Sequence, residues 1–211
     1  MTNLTALQKI DNAAELKYFR IGNALGGSQD WMRDPWMKLG GCAALAAIDS
    51  CIYFSLFKGK KKLCPVDVHH LTRDSYIQFA MTMKPYISPR LGGVSKLSIY
   101  TKGVEKYLSD IGCNELLMQP YSMGQPLTDA EQTLQQQIDR GMLVPVLLLN
   151  HISKEWKDYN WHWFLLTGYR RNHDLLMVKA VTYGKAEWLS FSGLWDEKRD
   201  KNGGMILYEL H

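Results

Sequence analysis

Cys42 follows two glycines, Gly40 and Gly41, and opens an apolar stretch, "CAALAAIDSCIYF". A cysteine that only fills a core needs no such approach, whereas a nucleophile at a helix tip does. The unbonded N–H groups at a helix start, together with the positive end of its macrodipole, favour an anion there. The thiolate is the reactive form of cysteine, and this setting lowers the thiol pKa. Such a nucleophile needs a base, and histidine is the usual one. Of the six histidines, His162 stands apart because it opens a strand-like run, "HWFLLTG". His69 and His70 fall in a stretch read as helical, His151 follows a strand end, His173 sits in a polar turn and His211 is terminal. Alternation along the run puts His162, Phe164 and Leu166 on one face and Trp161, Trp163 and Leu165 on the other. The expectation is a Cys–His pair, with Cys42 at a helix tip and His162 on the first residue of a facing strand.

The other reactive residue types have plainer settings. Cys51 lies deeper in the same apolar segment and reads as an inert core thiol. Cys64 precedes Pro65 in a loop, and Cys113 follows a helix end. The four cysteines match no zinc spacing, so free thiols are expected, with no metal and no cofactor. Asp49 sits two turns below Cys42, about 10 Å away at 1.5 Å per residue. That is too far for a direct role, and Asp49 reads as a buried, paired carboxylate anchoring the helix.

The elements that must position this pair follow from periodicity. The first twenty residues have a loosely helical spacing, and residues 22–41 read as irregular. From Cys42 to about Phe57 the chain is apolar nearly all round, as in a helix buried on every side, with Gly59 as its stop. Residues 65–90 look helical with breaks at Pro85 and Pro89, and a further helix runs from about Thr101 to Asp110. "TDAEQTLQQQIDRG" carries a capping box, Thr128 with Glu131, and Gly141 as its natural end. After Gly141 the period changes. "MLVPVLLLN", "WHWFLLTGY", "DLLMVKAVTYG", "AEWLSFSGLW" and "GMILYEL" read as strands. Helices first and strands last predict an α+β fold with an antiparallel sheet. The four Gly-Gly pairs read as turns.

A chain of 211 residues is expected to form one domain, residues 1–211, with a mainly helical lobe over 1–125 and a capping helix and sheet lobe over 126–211. A chain of this size buries roughly 70% of its unfolded surface, enough to fold without disulfide staples. The net charge is +4. The one tight basic run, "KGKKK" at 58–62, lacks interleaved aromatics and reads as a solvated loop, not a nucleic-acid patch. The N-terminus has no signal-peptide pattern, and no stretch reaches the ~18 apolar residues of a membrane span. A cytoplasmic location is the resulting expectation.

"GGCAALAAIDSCIYF", followed far downstream by "RGMLVPVLLLN", "WHWFLLTGYRRNHDLLMVKAVTYGK" and "WLSF", resembles the papain-like cysteine peptidases. Within them it is closest to the double-glycine leader peptidases of bacteriocin exporters and their stand-alone relatives. The resemblance runs over most of residues 29–192. It implies a papain-like fold, in which a central helix starting at the cysteine packs on a C-terminal antiparallel sheet. It also implies Cys42 as nucleophile, His162 as general base, an acyl-enzyme intermediate and a peptide or protein substrate. The chain departs from that family at three places. Ala43-Ala44 stands where Gly-Pro is usual after the cysteine. Trp36 stands where a glutamine usually helps hold the oxyanion, and Gln29 is the nearest candidate. Ala180 stands where an Asp or Asn usually orients the histidine, and Thr182 is the nearest polar residue. A catalytically weak or inactive peptide-binding module, its groove lined by Trp36, Trp161 and Trp163, is therefore the alternative. An acyltransferase using the same pair is another.

Overall fold

Residues 12–195 and 203–211 are described in the computed structural model. In chain order they form β1 (Asn12–Glu15), β2 (Arg20–Ile21), β3 (Ala24–Leu25), α1 (Pro35–Gly40), α2 (Cys42–Lys58), α3 (Arg73–Met83), α4 (Leu97–Asp110), β4 (Leu116–Ser122), α5 (Leu127–Asp139), β5 (Val144–Leu148), β6 (His162–Asn172), β7 (Leu175–Thr182), β8 (Lys185–Ser190), α6 (Phe191–Trp195) and β9 (Gly204–Leu210). The fold is α+β. A seven-stranded sheet has the order β4-β9-β5-β6-β7-β8, with β1 on the far half of β6, and every pairing in it is antiparallel.

The sheet separates two apolar cores. One joins α2, α3 and α4 to Leu147, Trp163, Leu165 and Ile206. The other joins α5 and α6 to Val146, Phe164, Leu166 and Val178. The alternation expected along β6 therefore holds, with odd and even positions entering different cores. α2 is the axis of the first core, and every residue from Cys42 to Ser55 is buried. Its start is set upstream. The Asp34 side chain caps α1 through the Met37 N–H at 2.9 Å, and α1 then ends at a sharp joint. A Cβ at Gly41 would stand 2.4 Å from the Met37 carbonyl oxygen, so only glycine allows α2 to begin at Cys42. Gly59, at φ 71°, ends α2 in the left-handed region.

Several elements differ from the sequence reading. Residues 12–15 are extended, 16–19 have no regular structure and Arg20 opens β2, so none of 12–20 is helical; residues 1–11 of that helical reading lie outside the described residues. β6 is longer than β5, and β1 covers the edge left bare, pairing Ala13 with Arg170 and Glu15 with Gly168. The span 22–41 is not wholly irregular, since it holds β3 of the β2–β3 hairpin and α1, both shorter than a periodic pattern can reveal. Within 65–90 only α3 is helical, opened by a reciprocal Thr72–Ser75 cap, and His69 and His70 lie in the exposed approach to it. α4 begins at Leu97, not Thr101. The Thr128–Glu131 box does not form, because α5 starts one residue before Thr128. Glu131 instead pairs with Arg171 at 2.6 Å. "AEWLSFSGLW" divides into β8 and α6, where Phe191 and Trp195 stack one turn apart at 5.4 Å. β4 was not foreseen. Its Pro120 is tolerated because β4 is an edge strand. β1 and β4 carry the sheet across the expected boundary at residue 125. Lys61 and Lys62 of the basic run are exposed in a single turn.

Candidate active site

Cys42, 6% exposed, and His162, 5% exposed, line one cavity of about 30 Å³ with Gln29, Asp49, Thr182 and Tyr183. The tip of α2 thus meets the first turn of the sheet where β6 begins. The His162 ring is held on several sides. Its Nε2 lies 2.7 Å from Thr182 Oγ1, at the end of β7. Tyr183 stacks on it with centroids 4.9 Å apart and planes 6° apart, and Phe164 lies nearly parallel at 6.2 Å. Nδ1 is left as the ring nitrogen without a hydrogen bond among the described residues. Burial lowers the His162 pKa to about 4, so the imidazole is neutral at pH 7.

The thiol differs from expectation. The backbone N–H groups of Trp163, Ala43 and Cys42 itself pull its pKa down, but burial outweighs them and the net direction is upward. The helix start is where it was expected, yet the sulfur is so shielded from water that desolvation of the anion dominates. No hydrogen bond joins Cys42 to the imidazole. The pair therefore rests as neutral thiol beside neutral imidazole rather than as an ion pair. Cys51 is the inert core thiol expected, its pKa pushed up by burial, and burial raises that of Cys64 to about 11.

Both secondary candidates reach the site. Gln29, 7% exposed, sits in the cavity wall, and its Nε2 donates to the Lys38 carbonyl at 2.7 Å. One of its two amide hydrogens is thus committed to the end of α1. Its Oε1 is buried without a partner among the described residues. Thr182, the nearest polar residue to the expected orienting position, is the residue that bonds His162. Ala180 is buried in the second core. Asp49 closes another side of the cavity. It accepts from Tyr76 at 2.6 Å, from Tyr18 at 3.0 Å and from the Gly27 N–H at 3.3 Å. It thereby ties the 18–27 segment and α3 to α2, as an anchoring carboxylate should, although burial raises its pKa to about 6.

Tyr183 is absent from the sequence reading, and Trp161 enters it only as a groove residue. Trp161, at φ 56°, precedes His162, and Tyr183, at φ 49°, stacks on it. Bulky side chains rarely adopt this left-handed region, and such strain concentrates at functional sites. The signal for Tyr183 was its place before Gly184, in the two-residue turn between Thr182 and Lys185, which are paired. Of the three tryptophans expected along a groove, Trp36 and Trp161 are half-exposed. Trp163 belongs instead to the first core. It stacks on Tyr100 at 4.6 Å and donates to the Val94 carbonyl at 2.7 Å. His151 is no rival base, since Gly193 O, 2.9 Å from its Nε2, and Ser153 N–H, 3.0 Å from its Nδ1, occupy both ring nitrogens.

Comparison with protein-family models, curated proteins and solved structures finds no match to this chain. No described helix is long and apolar enough to cross a membrane.

Proposed function

We propose that this chain is a papain-like cysteine hydrolase, acting on peptides through Cys42 and His162. One observation carries the reading: a cysteine on the first residue of a buried helix and a histidine on the first residue of a strand line the same cavity, with Thr182 bonded to Nε2 of the ring. The resemblance of the Cys42 and His162 segments to the double-glycine leader peptidases supports it.

Because both groups rest neutral, His162 acts as a general base during attack, not as the cation of a standing ion pair. Nδ1 takes the proton from Cys42 Sγ as the sulfur bonds to the substrate carbonyl carbon. The carbonyl π pair becomes the oxyanion, which the Cys42 N–H and the uncommitted amide hydrogen of Gln29 stabilise. As the oxyanion collapses, the C–N bond breaks and His162 returns the proton to the leaving amine. Water then hydrolyses the thioester and releases Cys42 as thiol. An amine in place of that water makes the same machinery an acyltransferase. A cavity of about 30 Å³ admits little more than a water, so a substrate has to displace the Tyr183 ring from His162.

The tight closure and the raised thiol pKa favour one rival, a peptide-binding module without catalysis. Trapping with a peptidyl aldehyde separates the two. Intact-mass measurement is expected to find one adduct on the wild-type chain and none on Cys42→Ala. The absence of any adduct on the wild type removes the hydrolase reading.

A further inference from the structure

The β7–β8 pairing places a carboxylate behind Thr182. Ala180 lies opposite Glu187, and Thr182 opposite Lys185. Opposed residues share a face of the sheet, as do residues two apart on one strand, so these four side chains lie together. They line a second cavity of about 200 Å³ with Tyr159. The Tyr159 hydroxyl donates to Oε1 of Glu187, and no other hydrogen bond to this carboxylate occurs among the described residues.

Thr182 presents a problem that this carboxylate solves. His162 can take the cysteine proton at Nδ1 only if its ring hydrogen sits on Nε2 and points at Thr182 Oγ1. A hydroxyl has one hydrogen and two lone pairs. Facing the ring alone, Thr182 can equally donate to Nε2, which moves the ring hydrogen to Nδ1 and disables the base. An Asp or Asn oxygen accepts only and carries no such ambiguity. Thr182 therefore needs an acceptor on its far side. Glu187 is its diagonal neighbour on that face, with Cβ atoms about 7 Å apart in such a pair. The two side chains make no direct hydrogen bond, and a cavity of this size leaves room for one bridging water between them.

We infer that Glu187 is a positioning residue. Through one bridging water its carboxylate draws the Thr182 hydroxyl hydrogen away from the ring, which holds Thr182 as an acceptor and His162 in the Nε2–H form. The consequence for catalysis rests on the hydrolase reading, but the tautomer does not. The ionisable groups around this chain are Cys42 and Asp49 from α2, Tyr76 from α3, Tyr183 from the turn, Lys185 and Glu187 from β8, and Tyr159 from the segment before β6.

The test is the ¹⁵N–¹H spectrum of the His162 ring at pH 7 in the full chain, with Glu187→Leu, Glu187→Gln and wild type compared. Glu187 is exposed, so all variants are expected to fold; Glu187→Leu strands the buried Tyr159 hydroxyl and should lower the melting temperature modestly, whereas Glu187→Gln keeps an acceptor for it. The wild type should carry its hydrogen on Nε2. Losing one charge-assisted hydrogen bond in Glu187→Leu should raise the Nδ1–H to Nε2–H ratio about tenfold. Glu187→Gln, whose amide oxygen still accepts, should fall between. A wild-type ring protonated on Nδ1, or a ratio unchanged in Glu187→Leu, overturns the proposal. Alkylation of Cys42 by iodoacetamide in the same variants tells the two readings apart. If the ratio stays fixed while His162→Ala slows alkylation, Glu187 loses its role and the Cys–His pair stands. If the ratio moves while His162→Ala alkylates at the wild-type rate, the pair fails and the positioning contact stands.

Discussion

Replacing Asp49 by asparagine removes a carboxyl that three donors hold, yet burial still moves its pKa from 3.8 to about 6. Such a carboxyl binds its proton more tightly in the folded chain than in the unfolded one. Between about pH 4 and pH 6 the unfolded chain gives up that proton while the folded chain keeps it, so ionisation opposes folding. The cost is absent below the unfolded pKa, grows through this window and is constant above it. A separation of about two pH units amounts to about 3 kcal/mol, most of it developed between pH 4 and 6.5. The other carboxylates titrate in both proteins and cancel in the comparison. Equilibrium urea unfolding of wild type and D49N at pH 4, 5, 6 and 7 isolates the effect. The stability of the wild type relative to D49N should fall by about 2–3 kcal/mol across the series. A difference that stays constant with pH refutes the reasoning, because the three hydrogen bonds would then offset burial in full.

Tyr183→Ala exposes the His162 ring to water, so NMR titration should find its pKa rising from about 4 toward the ordinary histidine range; an unmoved value means that other groups exclude the water. Gly27→Ala would set a Cβ 1.8 Å from the Tyr76 ring and push Tyr76 off Asp49. Thermal unfolding should register a loss of about 3 kcal/mol, and an unchanged midpoint contradicts the close approach.

The parts of the fold legible in the sequence are those with strong local causes. α2 was readable because apolar residues run all round it between a glycine joint and a left-handed glycine stop. β6 was readable because its alternation serves two cores. β1 and β4 were not, since their existence depends on bare edges of β6 and β9 formed by residues far away in the chain. The Thr128–Glu131 pattern misled because Glu131 finds a stronger partner, Arg171, across the fold. At the site, residue type and helix position were enough to pick out Cys42 and His162. Thr182 could be placed only as the nearest polar side chain, because its bond to His162 depends on the β7 register. The thiol's resting state was misjudged because helix position is local while the burial that overrides it is a property of the assembled cavity. Tyr183 left only a faint signal, a bulky residue at a turn position that favours Asn or Gly.

The most direct measurement is the rate at which a peptidyl aldehyde captures Cys42 from pH 3.5 to pH 8, in wild type and in His162→Ala. General-base attack requires an unprotonated imidazole, so the wild-type rate should climb through about pH 4, the folded pKa of His162, and then level off. His162→Ala should be slower by about a hundredfold or more. Equal rates in the two proteins, or a wild-type rate that rises only near the pKa of a free thiol, would contradict the partnership of Cys42 and His162.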